Sequence, residues 1–320
     1  MFLFRPQPLP GESLSSWRQR SGVANGFYRF PRPMGFRNFQ EPDRRPQAAE
    51  EQWLKDEFRM ADDILQPLFL DSIVLRLGRD FGSRARHRWV IPANGNRILG
   101  NGSTCCPICV SEDPMPYIRL SWRFAFMTHC PMHGCTLVER CTHCSAAMWP
   151  KSLKSAGQHN QYPFSHCQSC GGPILDTSTF DPLMRIIARE LWMCASTGVV
   201  PASLGQAENA QEVFAALWAL SQMLLRKRSV KAWDTLDRGL GESLRIWEGR
   251  RYIELLPVNV RAAVVRCSYQ LLSDWPNTFA DVATTIGLQR HHFAEHWDYQ
   301  PIWLKVYIQK HLAGRSIEMT

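Results

Sequence analysis

Seven cysteines and one histidine fall into two consecutive sets of four. The first is Cys106-x2-Cys109 followed, after twenty residues, by Cys130-x2-His133; the second is Cys141-x2-Cys144 followed, after twenty-two, by Cys167-x2-Cys170. Each pair can offer two ligands to one tetrahedral ion, and two pairs joined by a ribbon-sized excursion close a four-coordinate site. Zn2+ suits such thiolate and imidazole sets. A site closed by four thiolates, or by three thiolates and an imidazole, keeps no position open for water or substrate, so the spacing predicts two structural Zn2+ ions and no catalytic one. A structural zinc contributes about 10 to 16 kcal/mol to folding, and the segment 106–172 is expected to unfold without it.

Four cysteines stand outside the sets. Cys105 is the alternative first ligand, at a three-residue spacing; Cys106 is preferred because Cys106-Pro107-Ile108-Cys109 makes the tight knuckle whose backbone N–H groups face the sulfurs. Cys194 and Cys267 lie in helical apolar patterns and are expected to be packed thiols, and Cys135 follows the histidine. The opening Met1-Phe2-Leu3-Phe4-Arg5-Pro6-Gln7-Pro8 is broken by prolines and is not expected to be a secretory signal. Without export, paired cysteines favour metal over disulfides.

The elements that must position these ligands are mostly helical. Ser13 is placed to cap a helix over residues 11–26, with Leu14, Trp17 and Ala24 on one face and Asn25-Gly26 as its stop. Between Phe27 and Pro46 aromatic residues interleave with Arg29, Arg32 and Arg37 in a basic, proline-broken arm that suits either nucleic acid or packing on its own core. Helices are expected over Gln47–Met60 and around Asp63–Leu70. A basic run with Arg84, Arg86 and Arg88 then precedes the first knuckle. After the second set, Asp181-Pro182 opens a helix to about Ala195. Further helices are expected over Ala207–Leu225, Glu242–Tyr252, Pro257–Leu272, Phe279–Ile286, Arg290–Trp297 and Pro301–His311, with strand patterns confined to the metal ribbons.

The fold class predicted is therefore mostly α, with two small zinc-ribbon or zinc-finger modules and helix-turn-helix-like C-terminal helices. Three domains are expected: an N-terminal arm and helical part at 1–104, tandem zinc-binding modules at 105–175, and a C-terminal helical domain at 176–320. Within the last, Phe279–Trp297 fits a helix-turn-helix turning at Gly287, whose second helix would offer Gln289, Arg290 and His291 to nucleic acid or a partner. One short echo, Gly11-Glu12-Ser13-Leu14 with Trp17 and Arg20 against Gly241-Glu242-Ser243-Leu244 with Trp247 and Arg250, lacks a second period.

The chain has 320 residues, an ordinary apolar fraction of 45% and a net charge of +8, carried by thirty arginines against seven lysines. This balance favours polyanionic partners, although arginine excess also follows from a GC-rich genome. The longest nearly apolar stretch, Phe214–Leu225, is too short to span a bilayer, so a soluble, intracellular protein with no membrane contact is expected. No phosphate loop, His-Glu-x-x-His helix or deaminase His-x-Glu partner is present, and the expectation is that the protein is not an enzyme.

The opening Arg5-Pro6-Gln7-Pro8-Leu9-Pro10-Gly11-Glu12-Ser13-Leu14-Ser15-Ser16-Trp17, closed by Asn25-Gly26-Phe27, resembles the N-terminal signature of the TniQ family, the TnsD-related target-selection proteins of transposons. Cys106-Pro107-x-Cys109, Ser121-Trp122-Arg123, His129-Cys130-Pro131-x-His133-Gly134 and Cys141-x2-Cys144 are similar to its zinc core. The resemblance is specific over residues 1–175 and weaker beyond, where Leu271-Leu272-Ser273-Asp274-Trp275-Pro276-x-x-Phe279 is similar to a family phrase. It implies a bacterial, cytoplasmic adaptor linking a targeting complex to the transposon's AAA+ ATPase regulator and, through it, to the transposase. The targeting complex is target DNA or an RNA-guided Cascade-type effector of a CRISPR-associated transposon, and a second copy of the chain is a further partner. The competing expectation is an autonomous, sequence-specific zinc-containing DNA-binding protein or transcription regulator.

Overall fold

The computed structural model describes residues 2–27, 30–31, 41–78, 88–93, 103–148, 164–167, 169–174, 179–226, 252–294 and 297–317. Most of the basic arm, the residues Arg29, Arg32, Arg37, Arg84 and Arg86, nearly all of the expected helix Glu242–Tyr252 and the second half of the short echo lie outside them.

Helix α1 (Leu14–Ala24) starts where Ser13 Oγ accepts the Ser16 N–H at 3.3 Å and stops at Asn25, with Gly26 at φ 75°. Its amphipathicity is weak because both faces are covered: Leu14 and Trp17 are buried, and so are Arg18 and Arg20. Trp17 packs against Phe58 of α2 (Ala48–Phe58), ring centroids 4.7 Å apart, within a small N-terminal cluster that also holds Phe2, Leu54, Leu65 and Phe69. α2 ends at Arg59, which takes the left-handed conformation. The helix expected around Asp63–Leu70 is shorter than its pattern: α3 (Asp62–Leu65) gives way to a 3-10 turn at Gln66–Leu68, because Pro67 has no N–H to continue the α ladder.

From α4 (Asp71–Arg76) onward the apolar residues join one large core that runs through the metal-ligand segment, including α5 (Pro107–Glu112), and the C-terminal helices. At its centre Phe126 meets Phe214 at 4.8 Å and Trp89 meets both rings edge-on. α6 (Pro182–Thr197) begins as its sequence dictates, with Asp181 Oδ1 accepting the Met184 N–H at 3.0 Å, and ends at Gly198. α7 (Ala210–Arg226) packs along α8 (Val258–Ser273), where Ser221 and Ser268 share a hydrogen bond inside the contact. α9 (Asn277–Thr285) and α10 (Ile302–His311) close around Trp275, whose ring lies 4.8 Å from both Phe279 and Tyr307.

Two details differ from the sequence pattern. The second helix expected over Arg290–Trp297 is a four-residue 3-10 turn, Arg290–Phe293, with a further 3-10 turn at Trp297–Tyr299. Gln289 and His292 cap the first turn reciprocally, His292 and Ala294 donate to the carbonyls three residues back, and Gln300 Nε2 donates to the Phe293 carbonyl at 2.8 Å. The metal ribbons hold isolated antiparallel bridges and no strands among the described residues. Each bridge, such as His129 with Thr136 and Arg140 with Ala147, brackets a knuckle, and the chain turns back around the ligands before a ladder can extend.

Candidate metal centres and the signature that frames them

Three of the four knuckles are built the same way. Cys130 donates its N–H to the Cys135 carbonyl at 2.8 Å and accepts from Gly134 N–H; Cys141 does so with Ala146 and Ser145, and Cys167 with Gly172 and Gly171. The fourth residue after each cysteine must therefore take a positive φ, and these are Gly134 at 67°, Ser145 at 58° and Gly171 at 73°. The remaining knuckle is a helix start: Cys106 is the N-cap of α5, and its Sγ accepts the Cys109 N–H at 3.3 Å. N–H groups likewise point at Cys141 and Cys167, 3.4 Å from His143 N and Ser169 N. Donors aimed at sulfur favour thiolate. For Cys141, burial pushes the other way, but these backbone donors and the neighbouring thiols outweigh it and bring the thiol down to about 7.

The knuckles meet in two groups. Cys106, Cys109, Cys130 and His133 have their ligand atoms within 4.8 Å of one another, and so do Cys141, Cys144, Cys167 and Cys170. A tetrahedral zinc–thiolate bond of 2.3 Å requires sulfurs roughly 3.8 Å apart. The Cys109–Cys130 pair stands at 3.6 Å, and Cys141–Cys170 and Cys144–Cys167 at 3.7 Å. These separations are far beyond a disulfide bond, and all eleven cysteines are free. The donor sets can thus hold two metal ions, each with every position taken. Cys106 belongs to the first set; Cys105, one residue earlier, instead exchanges both backbone hydrogen bonds with Val138, and its thiol is pushed well up by burial.

The two centres differ in surroundings. In the first the three thiols are almost wholly buried, whereas in the second Cys144 and Cys170 are exposed. The first also carries neighbours that spacing did not single out. Cys135 Sγ lies 3.3 Å from Cys106 Sγ, and Glu112 Oε2 lies 3.1 Å from His133 Nε2. A signal was present for Glu112, which follows Cys109 by three residues and so falls on the same side of a helix turn.

Around the first centre sits the N-terminal signature, and its residue types have a plain physical role. Glu12 is fully buried. Its carboxylate accepts from Arg20 Nε at 2.8 Å, Arg20 Nη2 at 2.7 Å, Ser16 Oγ at 2.9 Å and Leu9 N–H at 3.0 Å. Burying this pair is tolerable because each lone pair has a donor. The same stretch is stitched to the metal segment by Ser13 N–H to the Ile118 carbonyl, Leu120 N–H to the Gly11 carbonyl and Tyr117 Oη to the Pro10 carbonyl. Arg123 completes the frame: it is 1% exposed, donates to Asp43 and to Glu41 at 2.9 Å, and also reaches the Ile91 carbonyl at 2.8 Å. Burial raises the Glu41 carboxyl against the opposing pull of Arg123.

The described residues singled out for nucleic-acid or partner contact are placed as follows. The Arg88 guanidinium stands over the Trp218 ring at 4.3 Å and Tyr299 at 5.3 Å. Arg290 is spent on the Gly314 carbonyl at 2.9 Å and the Gln309 carbonyl at 2.6 Å, tying the 3-10 turn to the end of α10. Gln289 and His291 line an open cleft with Arg315 and Ser316.

Two closed four-donor sets within a helical framework, joined to a buried Glu–Arg pair, define a scaffold with two candidate structural metal centres. Residues 3–137 match the family model of TniQ, so that this part of the chain is similar to TniQ-family proteins. The comparison with curated proteins finds no match. Among the described residues no helix is long and apolar enough to cross a membrane.

Proposed function

We propose that this protein is a target-selection adaptor in transposition, with both centres loaded with structural Zn2+. It would link a targeting complex, either target DNA or an RNA-guided Cascade-type effector, to the AAA+ regulator and through it to the transposase. The observation that supports this reading best is the TniQ match over residues 3–137, a span in which Glu12 pairs with Arg20 and Arg123 with Glu41 and Asp43 in the buried frame. Closed donor sets add to it, since neither offers a ligand position for substrate or water. The residues therefore act by holding surfaces, and the chain's own chemistry is limited to ligation: the thiolates and His133 would bind the ions, and the ions would fix the knuckles.

The test is co-purification of the full chain with the AAA+ ATPase in the presence of DNA and nucleotide. Stable association supports the adaptor, and its absence under all those conditions removes it. A gel-shift series on the isolated protein separates the competing regulator reading: tight, sequence-dependent binding would favour an autonomous DNA binder, whereas weak, salt-sensitive binding fits the adaptor.

A further inference from the structure

Among the groups that the proposed function does not use, the contact between Glu112 and His133 carries the most specific chemistry. The imidazole has two nitrogens with different surroundings. Nδ1 faces the donor set, 3.3 Å from Cys109 Sγ, 3.4 Å from Cys106 Sγ and 3.6 Å from Cys130 Sγ. Nε2 points away from the sulfurs, to Glu112 Oε2 at 3.1 Å. A ring that ligates through Nδ1 must carry its proton on Nε2, and a carboxylate there accepts that proton's hydrogen bond, fixes the tautomer and ring orientation, and strengthens Nδ1 as a donor.

Helix stability does not account for the placement. Glu112 is the last residue of α5, where a negative charge faces the negative end of the helix dipole. The neighbouring Asp113, by contrast, is engaged by Arg119 through two bonds of 2.9 Å. We infer that Glu112 is a positioning residue of the first centre, holding His133 as an Nδ1 ligand. This rests on the zinc reading of that centre.

The test uses the full chain loaded with Co2+, whose ligand-field bands distinguish a site of three sulfurs and one nitrogen from a site of four sulfurs. Release of Co2+ to a chelator is followed at both bands for the wild type, E112Q and E112A. Loss of an outer carboxylate partner typically costs 10- to 100-fold in metal affinity. Glu112→Ala is expected to speed release from the three-sulfur centre by about that factor. Glu112→Gln, whose carbonyl can still accept from Nε2–H, should fall between, and the four-sulfur centre should keep its rate throughout. Unchanged release from the three-sulfur centre in Glu112→Ala overturns the inference, as does equal acceleration at both centres, which would mark a general loss of stability. A wild type showing no three-sulfur band would instead overturn the metal reading itself.

Discussion

Arg261, fully buried on α8, donates through Nη1 to the backbone carbonyl of Ala125 at 3.0 Å, across 136 positions of sequence. The same guanidinium donates to the Leu256 carbonyl at 3.1 Å and stands 3.5 Å from Glu139, the residue that leads into the second centre. One cation thus holds the C-terminal helices against the metal segment, although burial alone would lower its hold on the proton. Among the described residues, replacing it leaves the partly buried Glu139 carboxylate with only the Val258 N–H at 3.2 Å and removes a donor from two carbonyls. Arg261→Met is expected to cost about 3 to 5 kcal/mol, measured as a lower urea midpoint for the fully metallated protein; a cost below 1 kcal/mol would show the cation to be dispensable.

The positive φ at the fourth residue of three knuckles makes a paired prediction. Ser145 bears a side chain where its counterparts are Gly134 and Gly171, and the left-handed region costs a residue with a Cβ about 1 kcal/mol. Ser145→Gly should slow metal loss from the second centre. Gly134→Ala should do the reverse at the first, because the added Cβ would also meet the Phe180 ring at 2.7 Å. Site-resolved chelator kinetics check both, and the prediction fails if the two substitutions act in the same direction.

Exposure sets the order in which the ions leave. Two of the four thiols of the second centre are open to solvent, while the three of the first are buried. Titration with a chelator should empty the second centre first and leave helical circular dichroism largely intact, with the cooperative loss of helix following removal of the first ion. Elemental analysis at each stage reads the stoichiometry, expected to begin at two per chain. Cys109→Ser should then be more damaging than Cys167→Ser, and Cys267→Ser, a packed thiol on α8, mild.

Glu41 gives a pH dependence. Its carboxyl is raised above the ordinary value by burial, so the folded protein binds the proton more tightly than the unfolded chain. Between the unfolded and folded values the folded state holds the extra proton, and stability falls as pH rises through that window, then levels off above it. Glu41→Gln should flatten this fall while Asp43 continues to pair Arg123. Urea midpoints for wild type and variant between pH 5 and 7.5, compared as differences so that metal binding cancels, decide it; parallel curves would exclude the effect.

The individual ligand knuckles, the Ser13 and Asp181 caps, the stops at Gly26 and Gly198 and the mostly helical class were determined by the sequence itself, because each depends on residues within a few positions of one another. The sequence preferred Cys106 over Cys105 as the partner of Cys109, and the fold brings Cys106 into the donor set. The contacts made at long range were decided only by tertiary structure. Arg20, Arg123 and Arg261 looked like part of a basic surface bias; each is buried because a carboxylate or a carbonyl from a distant segment meets it in the fold. Arg290 turned from an exposed face to the end of α10 for the same reason. The α pattern after Gly287 gave way to 3-10 turns, in which His292 and Ala294 donate to the carbonyls three residues back and Gln300 reaches the Phe293 carbonyl from outside the turn. Periodicity records which side chains prefer burial, but it holds no information about which distant acceptor a charged donor will find.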